Sequence, residues 1–237
     1  MSGPAEASDA EARNVREAVT RHTAWLVATA SALDDVAAPS LCEGWTRGHI
    51  LTHVARNADG MNAMVRSAVD GSGESMYVSQ ERRDADIEAG ADRGLTELVA
   101  DLRETATELD SALARLDGVS QDVLVDRLPG GPRFRAVDLP FMRLREVIYH
   151  HADLTAGFGL EDVEPALVAR FLRLEASRMT GPAMTLNPSD SEPVEVAGGG
   201  TVVRGESVAL LRWLARRETD GVVVDDGGDL PEIPRGS

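Results

Sequence analysis

Two segments that carry histidines decide the fold of this chain: residues 41–57 read LCEGWTRGHILTHVARN, and residues 143–154 read RLREVIYHHADL. In both segments apolar residues recur at helical spacing, so each predicts a helix with one face toward a core. Thr46 is a suitable N-cap for the first helix, which we expect to run to about residue 69. The second helix follows Pro140 and is expected to run to about Ala156.

The sequence around these two segments predicts more helices. Residues 9–36, 94–117 and 163–178 have apolar or leucine-rich faces in helical register, and Ser79 can cap a shorter helical stretch. Residues 118–138 contain Pro-Gly-Gly-Pro and are expected to form an irregular loop with short strands. Several long helices with one apolar face are typical of an antiparallel bundle.

The character of the chain changes after Gly181. Short β-branched runs at 194–196, 201–203 and 222–224 predict strands, and residues 206–217 predict one helix packed on them. The sequence therefore predicts a mainly α protein, with a helical bundle in residues 1–180. A small α+β C-terminal domain is expected in residues 181–237.

The charge of the chain excludes several functions. With 24 basic and 40 acidic residues the formal net charge is −16, which opposes binding to nucleic acid or anionic lipid. Every basic residue is arginine, so Schiff-base and P-loop lysine chemistry are excluded. The single cysteine, Cys42, precludes an internal disulfide, and neither a secretory signal nor a membrane span is evident. We therefore expect a cytoplasmic protein without membrane or nucleic-acid partners. Composition does not determine the oligomeric state, for which our working expectation is a monomer.

Histidines at helical spacing indicate a metal site. Glu146 and His150 are four residues apart, so their side chains project from one helical face and can chelate a divalent ion. His53 on the other helix is a candidate third ligand. Two imidazoles and one carboxylate leave a coordination position open, which is typical of catalytic zinc.

Spacing alone leaves the ligand set open. His49 and His53 are also four residues apart and can chelate a metal without the second segment. His151 is an alternative to His150, although it points about 100° away around the helix. A glutamate and a histidine at this spacing often form only a surface pair. Nitrogen-rich ligation favours zinc, but iron, cobalt or nickel also fit the same ligands.

The two segments resemble the metal-ligand helices of the mycothiol-dependent maleylpyruvate isomerases, a family within the DinB-like helical-bundle metalloproteins. In that family the later histidine of the first segment, and the glutamate and the histidine four residues on in the second, bind zinc. The resemblance therefore implies that His53, Glu146 and His150 are the ligands, and that His49 and His151 are not.

Two further segments sharpen the resemblance. Residues 76–83, MYVSQERR, are similar to a segment that ends in an active-site arginine in the family, which implies that role for Arg83. Residues 213–222, WLARRETDGV, resemble a helix end from which an arginine reaches the active site, and Arg217 takes that place. Most relatives have glycine before this arginine, where this chain has Arg216.

Three more residues are candidates for the pocket. Asn57 lies one helical turn after His53, so it is expected near the same helical face. Tyr77 lies in the segment that ends at Arg83. Asp153 follows His150 by about one turn and is positioned to orient that imidazole.

The function implied by the resemblance is isomerisation of maleylpyruvate to fumarylpyruvate in gentisate degradation, with mycothiol as thiol cofactor. A thiolate adds reversibly to the cis double bond, and the resulting single bond rotates. The metal either binds the thiol, which deprotonates it, or polarises the substrate oxygens. Two alternatives remain: a zinc-dependent mycothiol S-transferase acting on other electrophiles, and a non-catalytic metal-binding bundle protein.

Overall fold

The computed structural model describes the backbone of residues 4–234 and the side chains of residues 11–234. The chain divides into two compact units, Met1–Gly157 and Phe158–Ser237. This division lies earlier in the chain than the boundary predicted at residue 180. The reason is that the helix Pro165–Arg178 packs on the helix Ser207–Arg216, which belongs to the C-terminal unit.

The N-terminal unit is a bundle of helices with a small hairpin. Its helices are α1 (Pro4–Ser31), α2 (Arg47–Asp70), α3 (Gln80–Ala91), α4 (Leu95–Leu113) and α5 (Leu139–Asp153). Strands β1 (Leu124–Asp126) and β2 (Arg133–Arg135) pair antiparallel in the loop before α5. Helix α1 packs against α4 and α5, and α2 packs against α3, α4 and α5, which surrounds a leucine-rich core.

Local interactions fix where α2 begins and what it packs against. The Thr46 hydroxyl accepts from the His49 backbone N–H, and the His49 Nδ1 accepts from the Thr46 backbone N–H, which forms a capping box. A Cβ on Gly60 would lie 2.7 Å from Met76, so only glycine permits this close approach. The segment that contains Tyr77 is thereby held against the middle of α2.

The C-terminal unit is a small sheet with two helices. Helix α6 (Pro165–Arg178) precedes β3 (Met184–Pro188), β4 (Val194–Val196), β5 (Thr201–Gly205), α7 (Ser207–Arg216) and β6 (Val223–Val224). The strand order is β4-β3-β5-β6, with β3 and β5 parallel and the other pairs antiparallel. Helix α6 packs on α7.

The predicted fold class is confirmed: the chain is mainly α, with a helical bundle followed by a small α+β region. Two details differ from the prediction. Helix α1 ends at Ser31 rather than near residue 36, and strand β3 was not predicted. Its residues Asn187 and Pro188 are typical of a turn, yet Met184 and Leu186 are fully buried and place the strand inside the sheet. Within the described chain, no helix combines the length and apolar character that crossing a bilayer requires.

Candidate metal centre

Helices α2 and α5 bring three potential metal ligands together. His53 projects from α2 and is 4% exposed, while Glu146 and His150 project from the same face of α5. One donor atom from each of the three residues lies within 4.8 Å of the other two. Because α2 packs on α5, residues far apart in sequence meet at one point inside the bundle.

The carboxylate of Glu146 lies between the two imidazoles. Its Oε2 is 3.2 Å from the His53 Nε2 and 3.8 Å from the His150 Nε2. The two rings stand almost perpendicular, with centroids 4.5 Å apart. Two imidazole nitrogens and a carboxylate oxygen are donors that divalent zinc accepts, so the side chains present fit a metal of this kind.

The ionisation of the cluster is already suited to a cation. Burial lowers the pKa of His53 to about 4, against the opposing effect of its hydrogen bond with Glu146. Burial acts to raise the pKa of Glu146, but the hydrogen bond from His53 and the positive charges nearby outweigh it and hold that pKa well below its usual range. At neutral pH the cluster therefore contains a neutral His53 and an ionised Glu146, the protonation states that metal ligation requires.

Asp153 orients the second histidine. Its Oδ2 lies 2.8 Å from the His150 Nδ1, which leaves the His150 Nε2 facing Glu146. Asp153 is 1% exposed and also accepts a hydrogen bond from the Cys42 thiol, with sulfur and oxygen 3.3 Å apart. A carboxylate behind the imidazole is the usual way to fix the tautomer of a ligand histidine.

Asn57 orients the carboxylate in a similar way. The buried Arg143 donates from Nη1 to the Asn57 Oδ1 at 2.8 Å, and the Asn57 Nδ2 donates to the Glu146 Oε2 at 3.3 Å. Since a guanidinium has no acceptor, it can contact only the amide oxygen, and the amide NH2 must face Glu146. Arg143 itself is anchored by the Val54 carbonyl at 2.9 Å.

Arg83 and Tyr77 stand on the other side of His53. The Arg83 Nη2 lies 3.2 Å from the His53 Nδ1, and the Arg83 guanidinium lies over the Tyr77 ring at 5.7 Å. Both residues line a cavity of about 370 Å³, and its wall also holds two ion pairs, Arg56–Asp59 and Arg82–Asp86. Among the described residues of this wall, Arg83 is the arginine that no carboxylate of the wall pairs with, which favours an anionic ligand at Arg83.

The other two histidines of the paired segments face away from the cluster. The His49 Nε2 lies 3.2 Å from the Glu88 carboxylate, and its Nδ1 completes the cap of α2. His151 is 2% exposed, and its Nε2 lies 2.7 Å from the Thr29 hydroxyl. Each of them has a structural role where it stands.

Arg217 lies in the C-terminal unit, where it ends α7. It adopts a left-handed conformation, with φ of 66°, and its backbone N–H bonds to the Trp213 carbonyl. Its guanidinium donates to the carbonyls of Leu214 and Pro234. In this conformation Arg217 caps the helix end, and its assignment to an active site rests on the resemblance alone.

Sequence reasoning did not assign site roles to Trp45, Cys42 or Arg143. The Trp45 ring centroid lies 5.3 Å from that of His53 and 6.5 Å from that of His150, so the indole forms a wall of the cluster. The available signal was position: Trp45 and Cys42 immediately precede the first ligand helix, and Arg143 lies three residues before Glu146 on one helical face.

Comparison with known proteins agrees with this geometry. The sequence profile described as "Mycothiol maleylpyruvate isomerase N-terminal domain" matches residues 8–155. Among solved structures, the chain is similar to a mycothiol-dependent maleylpyruvate isomerase and to a histidine-to-alanine mutant of such an enzyme. Each match has 28% sequence identity, a TM-score of 0.80, and coverage of 95% of this chain and 97% of the other. Among curated protein sequences there is no significant match.

Proposed function

We propose that this chain is a mycothiol-dependent cis–trans isomerase that converts maleylpyruvate to fumarylpyruvate. The chain belongs to the family defined by the mycothiol maleylpyruvate isomerase N-terminal domain. The observation that carries the proposal is the meeting of His53, Glu146 and His150 beside Arg83 and an arginine-lined cavity. In this proposal the step belongs to gentisate degradation in the cytoplasm, and the enzyme acts as a monomer.

The proposed metal ligands are His53, Glu146 and His150, and the proposed metal is zinc. A divalent metal held there would stabilise the thiolate form of mycothiol near neutral pH, where a free thiol is mostly protonated. The chain has its own part in preparing this site: Asp153 fixes the tautomer of His150, and Asn57 fixes the rotamer of Glu146.

Ligation also has a consequence for Arg83. The Arg83 guanidinium only donates, so the His53 Nδ1 that it contacts must accept, and the ring proton resides on Nε2. If His53 held a metal through Nε2, its ring proton would reside on Nδ1, which could not accept from a guanidinium. The Arg83 N–H directed at His53 would then be available to an anionic substrate in the adjoining cavity, while Nη1 stays paired with Asp84.

The proposed reaction needs no oxidant and no net proton transfer. A thiolate sulfur bonds to one alkene carbon, and the π electrons move onto the conjugated carbonyl oxygen to give an enolate. The former double bond is now single and rotates. When the carbonyl reforms, the alkene is restored in the trans form and the C–S bond breaks, which returns the thiolate.

Arginine is the residue suited to this substrate. Maleylpyruvate is a dianion, and addition develops a further negative charge on the enolate oxygen. The planar guanidinium of Arg83 can bind a carboxylate through two hydrogen bonds or stabilise the enolate. Arg217 is proposed for the same task from the resemblance, in which case it must release the two carbonyls that it caps.

The decisive experiment measures isomerisation of maleylpyruvate with and without mycothiol, before and after treatment with a chelator. We expect turnover only with both thiol and metal, and recovery when zinc is restored. Conjugation of mycothiol to electrophiles without isomerisation would replace the proposal by an S-transferase. No activity of either kind in a protein that holds one metal ion would favour a metal-binding bundle.

Adjacent arginines provide matched controls for the two proposed substrate contacts. Arg83→Ala should lower kcat/KM about 100-fold, whereas Arg82→Ala, a side chain that is 70% exposed and paired with Asp86, should change it little. Arg217→Ala and Arg216→Ala form the second pair. Equal effects within a pair would remove that arginine from the proposed substrate site.

A further inference from the structure

A second cavity of about 370 Å³ lies between α1 and α4, and it shares no lining residue with the Tyr77 cavity. With the contacts described around the metal cluster it shares Arg143, which holds Asn57. Its walls are largely apolar, with Val19 and Val27 from α1 facing Ala106 and Leu109 from α4. The small side chain of Ala106 leaves space that a leucine at the same position would fill. We call this cavity the α1–α4 cleft.

The inner end of the α1–α4 cleft is formed by Arg143 from α5, which lines the cleft although it is 1% exposed. The Arg143 Nη1 bonds to two neutral oxygens, those of Val54 and Asn57. Its Nη2 is buried and makes no hydrogen bond within the described residues. No described carboxylate forms an ion pair with this guanidinium, and Glu146 attracts it only from a longer distance.

A buried cation without an ion-pair partner is costly, because it has lost its hydration and gained no opposite charge in exchange. Arg143 remains charged in this environment, since burial lowers its pKa only to about 10. The contact with Asn57 gives the Nη1 side of the guanidinium a role in the metal centre. The buried Nη2, from which no described group accepts, is left without a function in the metal centre.

A second arginine, Arg103, lines the cleft at its rim. Arg103 is exposed, donates to the Ser31 hydroxyl at 3.1 Å and forms no ion pair in the part of the chain that the structure describes. Asp110 also lines the cleft and accepts a hydrogen bond from the Thr20 hydroxyl at 2.8 Å. The lining thus holds two arginines and one carboxylate, and neither arginine forms an ion pair with a described carboxylate, so the cleft has an excess of one positive charge.

We propose that the α1–α4 cleft is a second small-molecule site, which takes an organic carboxylate with a compact apolar body. The carboxylate pairs with Arg143, and the apolar body fills the space between Val27 and Ala106. The cleft has the size and the apolar lining with few polar groups that small-molecule sites share. Binding here does not require the isomerisation proposed for the metal centre.

Benzoate is a suitable probe, and benzamide is its neutral counterpart of almost the same shape. Both are titrated by calorimetry into the full-length, metal-free protein at low ionic strength, so that no metal can take the carboxylate. We expect saturable binding of one benzoate, and binding of benzamide at least about tenfold weaker, since a charge-assisted hydrogen bond is lost. Equal affinity for the two probes, or no saturable binding of benzoate, would overturn the proposal.

Two variants locate the bound benzoate. Ala106→Leu fills the cleft without touching the contacts of Arg143, and should abolish binding. Ala112→Leu changes a half-buried alanine of the same helix outside the cleft, and should bind like the parent protein. If these two variants bind benzoate equally, the ligand sits elsewhere and the proposal is wrong.

Arg143→Met tests the charge itself and should weaken benzoate at least about tenfold while leaving benzamide unchanged. Circular dichroism checks that each variant is folded. Where Arg143→Met does not fold, the comparison of Ala106→Leu with Ala112→Leu decides the question.

Discussion

The two units of the molecule bury different kinds of residue. The N-terminal unit buries a set of polar side chains in its bundle: His22, Thr52, His53, Asn57, Asn62, Thr105, Arg143, His151 and Asp153. In the described part of the C-terminal unit, Ser207 is the buried polar residue. Polar groups are costly to bury, so a unit that buries many of them is built around a task other than stability.

What these polar groups contact differs as well. In the C-terminal unit the Ser207 backbone N–H and hydroxyl both donate to Asp190, at 2.8 and 2.7 Å, which secures the start of α7. In the N-terminal unit the hydrogen bonds of His53 and Asn57 converge on Glu146. The comparison indicates that converging buried hydrogen bonds are concentrated in the bundle, whereas the described part of the sheet unit is held together mainly by apolar packing.

Among these tests, Glu146→Gln should have the largest effect, because Glu146 is the centre of the buried polar contacts in the bundle. The substitution keeps the shape of the side chain but removes the charge toward which His53 and Asn57 point. We expect isomerase activity to fall to the thiol-independent background and the zinc dissociation constant to rise at least about 100-fold, measured by competition with a chromophoric chelator. Glu88→Gln, which alters the partner of His49, is the control and should leave both quantities unchanged. Unaltered zinc affinity in Glu146→Gln would refute the proposed ligand set.

Leu186→Ala in the sheet should lower the stability of the protein and leave its zinc affinity unchanged. Leu186 is fully buried on β3, so the cavity should lower the free energy of unfolding by about 2–5 kcal/mol in chemical denaturation. The exposed Val223→Ala on β6 should change it by no more than about 0.5 kcal/mol. Zinc affinity of the folded Leu186→Ala protein should match that of the parent. A large loss of affinity would contradict the division of roles between the two units.

Asn57 offers a finer test, because two substitutions separate its two contacts. Asn57→Ala removes the donor to Glu146 and leaves the buried Arg143 with the Val54 carbonyl but without its contact to Asn57, so we expect both stability and zinc affinity to fall, the affinity about 10- to 100-fold. Asn57→Asp can still pair with Arg143 but offers no N–H to Glu146. Asn57→Asp should therefore be more stable than Asn57→Ala but should bind zinc as weakly. If Asn57→Asp regained both stability and zinc affinity, the orientation of Glu146 would not depend on Asn57.

The smallest expected effect concerns the cap of α2. Thr46→Ala removes the hydroxyl that accepts from the His49 backbone N–H, and should cost about 1 kcal/mol of stability. The kcat of the folded enzyme should stay that of the parent, because the cap does not touch the substrate. Thermal unfolding and steady-state kinetics measure the two quantities. A fall in kcat that exceeds the loss of folded protein would mean that the cap also controls the site.

The sequence predicted features that depend on neighbours along the chain. The caps Thr46 and Ser79, the helices, and the shared face of Glu146 and His150 all follow from local spacing. The choice of His53 with Glu146 and His150 over sets with His49 or His151 required the family resemblance, because spacing does not say which helices pack together. The chain Arg143–Asn57–Glu146 was beyond local reasoning for the same reason: its contacts form only where α2 meets α5.

Strand β3 is a second example of this limit. Its residues end in Asn187 and Pro188, which locally favour a turn, and the strand forms because β4 and β5 pair on either side of it. Tertiary pairing overrides a weak local preference here. The apolar residues Met184 and Leu186, two positions apart, were the available signal.

The indole of Trp45 has a practical consequence. It stands beside both candidate ligand histidines, in a chain that contains only three tryptophans. Its emission is therefore a built-in optical reporter for the candidate metal centre. A paramagnetic ion such as Co²⁺ held by His53 and His150 would quench this fluorophore at close range, whereas the closed-shell Zn²⁺ would not. Binding of a metal at the proposed ligands would thus be followed in real time on the native protein, without an attached dye.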